Sequence, residues 1–114
     1  MKLLTTILFA FCLWTSATYA QNVVSIPNIF TPNGDGDNDL FRINGAEGYE
    51  DLVCTIYNRH GEPVYRFYGV NGWWDGYTHA GVKVSAGVYF VIVEVSSSDG
   101  SSATQQATLN VHYD

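Results

Sequence analysis

The chain has 114 residues and a formal net charge of −6 at pH 7, with 46% hydrophobic and 15% aromatic side chains to fill a core. That length supports one compact domain. The acidic balance excludes nucleic acid and an anionic membrane surface as partners.

Met1-Lys2 opens an apolar run from Leu3 to Trp14, and small residues follow to Ala20. This pattern reads as a secretory signal peptide over residues 1–20, with Thr18 and Ala20 set for cleavage before Gln21; it is too short for a spanning helix. Cys12 invites a lipoprotein reading, but Phe11 stands where a small residue would precede a lipidated cysteine. The mature domain is expected over residues 21–114, without a transmembrane segment. Its basic side chains are Arg42, Arg59, Arg66 and Lys83, and Cys54 is its one cysteine, so no intrachain disulfide is expected. Cys54 lies in an alternating run and reads as a small buried hydrophobe.

Val23 to Ile26 suits a first edge strand stopped by Pro27. An acidic loop follows, in which Asn33, Asp35, Asp37 and Asp39 alternate with Gly34, Gly36 and Asn38. A loop winding round a hard cation points alternate oxygens inward, so the spacing suits a structural Ca²⁺, and glycines let the backbone turn with positive φ. The twelfth residue from Asn33 is Asn44, not Glu, and no helix flanks the loop, so this is no EF-hand. A solvated acidic turn without a metal fits the same residues. Asp75 reads either as a further oxygen ligand from a distant segment or as a turn-capping carboxylate.

Leu40 to Ile43 alternates and stops at Asn44-Gly45. Leu52 to Asn58 is a half-buried strand with Leu52, Cys54 and Ile56 on one face. Asn58 to Glu62 is a tight turn with Gly61, leading into a strand over Pro63 to Tyr68. After Trp73-Trp74-Asp75-Gly76 and a loop to Ala86, Gly87 to Val95 is the longest apolar run and predicts a central strand. Ser96 to Ser102 is a hairpin tip around Asp99-Gly100, and Ala103 to His112 pairs back with Ala107, Leu109 and Val111 on one face. No segment has helical periodicity. Six or seven short strands predict an all-β, antiparallel sandwich.

Trp73 and Trp74 read either as an aromatic platform for a surface glycan or as one core anchor beside a partly exposed neighbour. His60, His79 and His112 lack metal-ligand spacing and read as solvated turn or edge residues. Arg59 reads as an ion-pair partner of the acidic loop or as a contact for another protein. The serines at 96–98 and 101–102 have no His–Asp partners arranged around them, and a glycine-rich loop would hold paired carboxylates poorly, so no enzyme is expected.

Four motifs occur in order: Pro32, Asn33, Gly34, Asp35 and Gly36 with Asn38 and Asp39; Asn58 and Arg59 with Gly61; Trp74, Asp75 and Gly76; and Gly87 with Tyr89. Together they resemble the gliding motility-associated C-terminal domain of Bacteroidetes, the type B sorting domain of the type IX secretion system. The resemblance runs from about Ile26 to Val111. It implies an Ig-like sandwich without catalysis, recognised by the outer-membrane secretion machinery. It also implies passage through the periplasm and then the cell surface or secretion. His60 stands where the family usually has Trp, Trp73 is an addition, and the ending through His112 is less basic than usual. No cargo domain is expected between the signal peptide and the sorting domain.

Overall fold

The computed structural model describes residues 23–34, 36 and 39–113; the expected signal peptide, Asp35, Asp37 and Asn38 lie outside the described residues. Alternating apolar and polar positions produce extended chain, because successive side chains in a strand face opposite ways. The five strands are β1 (Ile29–Phe30), β2 (Asp51–Tyr57), β3 (Pro63–Tyr68), β4 (Gly87–Ser96) and β5 (Ser102–Val111). They form one sheet in the order β1-β5-β4-β2-β3. Neighbouring strands are antiparallel except β1, which runs parallel to β5 with Phe30 opposite Val111.

The register decides which face is buried. Leu52, Cys54 and Ile56 lie opposite Val95, Val93 and Val91, and Tyr89 lies opposite Leu109. All of these residues are buried on one face. A slip of one residue in any ladder would turn its whole apolar row to solvent, so burial fixes the pairing.

The all-β expectation holds; of the six or seven expected strands, the described residues form five, in a single sheet with one of them parallel. The segments expected as extra strands meet their partners at single bridges, Ser25 with Asn44 and Phe41 with Trp74. Pro27 removes a donor just after the first bridge. Gly45, with φ of 77°, turns the chain directly after Asn44. The amino-terminal segment is held by a side chain instead. Gln105 Oε1 accepts the N–H groups of Val23 and Val24 at 2.8 and 3.0 Å, and its Nε2 donates to the Val24 carbonyl at 2.9 Å. One amide thus replaces the ladder that the short segment does not build.

These bridged loops cover the buried face of the sheet. Alternation survives within them, since Phe41 and Ile43 are buried while Leu40 and Arg42 are exposed. Trp74 is 0% exposed. Its ring lies 5.3 Å from Phe30, 6.1 Å from Tyr65 and 6.2 Å from Tyr89, measured between centroids. Its Nε1–H donates to the Tyr77 carbonyl at 2.8 Å, so the polar edge of the indole is satisfied inside the core.

Cys54 is also 0% exposed, and burial pushes its thiol up from 9.0 to about 12. Between those two values only the unfolded chain loses the proton. Its contribution to stability is therefore intact below pH 9.0 and is lost as pH rises toward about 12. At pH 8 the folded domain over residues 21–114, which lacks Cys12, is expected to resist iodoacetamide and to alkylate fully in denaturant, as read by intact mass. Rapid native labelling would contradict this burial.

Candidate recognition surface

The acidic loop closes on itself. Asp39 Oδ1 accepts the Gly34 N–H at 2.8 Å, and Oδ2 accepts the Gly36 N–H at 2.7 Å. Both glycines have positive φ, at 80° and 92°, which aims their N–H groups at one carboxylate. Of the expected cation ligands Asn33, Asp35, Asp37, Asp39 and Asp75, the second and third lie outside the described residues. Asp75 Oδ1 accepts the Tyr77 N–H at 3.2 Å across a turn. Among the described residues no group of three His, Cys, Asp or Glu side chains is placed to hold a metal.

Two of the motifs meet at a glycine. A Cβ on Gly76 would stand 3.1 Å from Pro32 Cγ and 3.7 Å from a Phe30 ring carbon, and Gly76 has a φ of 92°. The proline turn therefore seats directly on the Trp74-Asp75-Gly76 corner. Trp74 cannot serve the expected two-indole platform, because the Phe41 bridge turns it into the core, leaving only Trp73 exposed, at 45%. Tyr89 is buried as well, and its hydroxyl donates to the Ser85 carbonyl at 2.7 Å.

The β2–β3 turn is organised by Asn58. Its Oδ1 accepts the His60 and Glu62 N–H groups at 2.9 and 3.0 Å, and its Nδ2 donates to Glu62 Oε1 at 3.1 Å. Gly61 supplies the positive φ of 83° that the turn requires. Arg59 and His60 are exposed at its tip. A second turn, over residues 78–82, faces the same cleft. There Thr78 N–H donates to the Val82 carbonyl at 2.8 Å, and Val82 N–H donates to Thr78 Oγ1 at 3.2 Å. Tyr77 bridges Lys83 at the base of this turn.

Between the two turns lies a cleft of about 390 Å³, lined by Arg59, His60, Val82, Lys83, Val88 and Tyr89 among others. Arg59 and Lys83 line it together, and among the described residues no carboxylate does. Lys83 Nζ sits 4.3 Å from the centroid of the Tyr113 ring, a cation–π contact. The Tyr113 hydroxyl in turn donates to the Val84 carbonyl.

His79 has a role that its sequence neighbours do not signal. Its ring stacks on Tyr65 at 4.4 Å with 17° between planes, continuing outward from the Trp74–Tyr65 stack. Its Nε2 accepts the backbone N–H of Arg66, on strand β3, at 3.1 Å. His79 is exposed on its turn, as expected, and these two contacts add a role to that position. On the outer face of the sheet, Arg66 Nε donates to Thr55 Oγ1 at 3.1 Å, and Tyr68, two residues along β3, is exposed.

A family model described as the CHU_C type IX secretion signal domain matches residues 24–111. Among solved structures, CopC from Methylosinus trichosporium OB3b is similar at 20% identity, with 78% of this chain and 86% of that chain covered and a TM-score of 0.49. No curated protein matches the chain.

Proposed function

The chain belongs to the CHU_C type IX secretion signal domain family, and on that premise we propose that it is a non-catalytic address label. In this reading the outer-membrane secretion machinery recognises the folded domain and passes it to the cell surface or the medium. Residues 1–20 deliver the chain to the periplasm first. The bridged loops over the sheet act as the second layer of an Ig-like sandwich.

One observation carries the reading. The match over residues 24–111 runs from the first buried residue of the described core, Val24, to the last, Val111, and spans all five strands. What the family shares is therefore the whole bead and not one grafted site. The motif residues support this, since Asn58, Trp74, Gly76 and Tyr89 spend their chemistry on turns and core. A module recognised by another assembly needs a fixed shape more than a reactive group.

The test fuses residues 21–114 behind a signal peptide and a reporter protein, in a host carrying the type IX system. The reporter is expected at the surface or in the medium, and in the periplasm of a strain lacking the outer-membrane translocon. Periplasmic retention in the intact host would overturn the reading.

A further inference from the structure

Positive charge is scarce in this chain, with 5 basic against 11 acidic residues, yet Arg59 and Lys83 line one cleft together with His60. Among the described residues no Asp or Glu lines that cleft. Glu62, on the same turn as Arg59, has its carboxylate on Asn58 Nδ2 at 3.1 Å. Lys83 rests on the Tyr113 ring. Two cations and an imidazole are thus gathered in a cleft that no described carboxylate lines, on a protein of negative net charge. The potential of such a cleft selects a negative partner.

The walls narrow the choice of anion. Val64, Val82, Val84 and Val88 line the same cleft, and Val82 and Val88 are 61% and 46% exposed. Aliphatic walls reward a ligand that brings apolar groups beside its charge. Both turns that carry the cations are braced by side-chain-to-backbone bonds, from Asn58 and from Thr78. Less ordering is then required on binding.

We propose that this cleft binds a short acidic peptide segment with aliphatic side chains. Its carboxylates meet the Arg59 fork and the Lys83 ammonium, and an aliphatic side chain lies on Val82 and Val88. An arginine fork suits a carboxylate in two-point contact, and lysine adds a point charge. That the ligand is anionic rests on the cleft alone; that a protein supplies it rests on the sorting reading.

The experiment titrates the full ¹⁵N-labelled chain with acetyl-Val-Asp-Val-Glu-Val-amide, with its Asn/Gln counterpart, and with inorganic phosphate. The acidic peptide is expected to shift amides at residues 59–60 and 82–88. Its Asn/Gln counterpart is expected to bind at least about tenfold more weakly, and added NaCl should weaken the acidic peptide. The Arg59→Glu/Lys83→Glu chain should lose at least about tenfold in affinity while its other amide signals stay in place, and Arg59→Gln/Lys83→Gln provides a milder second variant. Equal binding of both peptides, no shift at the cleft, or the same shifts from phosphate at equal concentration would overturn the proposal. A fusion that is exported although the chain ignores the peptide overturns the cleft alone. Peptide binding without export overturns the sorting reading alone.

Discussion

Trp74→Ala is expected to lower unfolding stability by about 3–5 kcal/mol, the range for deleting a large buried aromatic side chain. Small domains carry only about 5–15 kcal/mol in total, so this variant should lose a large share of its stability. The reason is position as well as size. Trp74 is 0% exposed and touches Phe30 from β1, Tyr65 from β3 and Tyr89 from β4. Its removal therefore loosens three strands and the covering loops at once. The Tyr77 carbonyl also loses its indole donor. Trp74→Phe should fall in between, since it keeps much of the ring contact and loses the hydrogen bond. Urea midpoints followed by far-UV circular dichroism measure the series, and an alanine variant within about 1 kcal/mol of the parent would refute the keystone role.

Gly72→Ala is expected to be the most damaging single-methyl addition in the chain. A Cβ there would lie 2.5 Å from Phe67 Cδ1 and 2.8 Å from the Tyr68 carbonyl oxygen. The first is a ring in the core and the second is backbone, so neither yields cheaply. Overpacking of this kind costs about 1–3 kcal/mol. Gly48→Ala is the control, since Gly48 has neither a positive φ nor any atom within 4 Å of the added one. If the two variants unfold at the same urea midpoint, the tight approach at Gly72 is not what the position requires.

How far the fold could be read from sequence follows from where each pairing is decided. Strands β2 to β5 were legible because Leu52, Cys54 and Ile56, or Leu109 and Val111, alternate within one segment, and alternation is a local signal. The covering layer was not. Val23 to Ile26 is β-branched enough for a strand, but Val23 and Val24 bond to the side chain of Gln105, more than eighty residues away, and only Ser25 pairs with backbone, at Asn44. The adjacent indoles show the same limit at the candidate site. Trp73 and Trp74 carry identical chemistry, and only the bridge from Phe41 decides which one faces inward. The cleft cations had no shared signal, since Arg59 and Lys83 belong to different turns. His79 was opaque for a similar reason, its partners Tyr65 and Arg66 lying on a different segment.

The contact between His79 and Arg66 has a consequence for how copies of this chain coexist. Strand β3 ends the sheet, and an uncovered sheet margin is a template on which a second chain can add its own strand. Here an imidazole already occupies the Arg66 N–H, and the strand begins with Pro63, which offers no donor. At the opposite margin β1 covers β5 only at Asn110 and Val111, and the side chain of Gln105 holds the amino-terminal segment alongside the rest. An incoming strand would have to displace a stacked ring to reach the Arg66 N–H, which makes β3 a poorer template for a second copy of the chain.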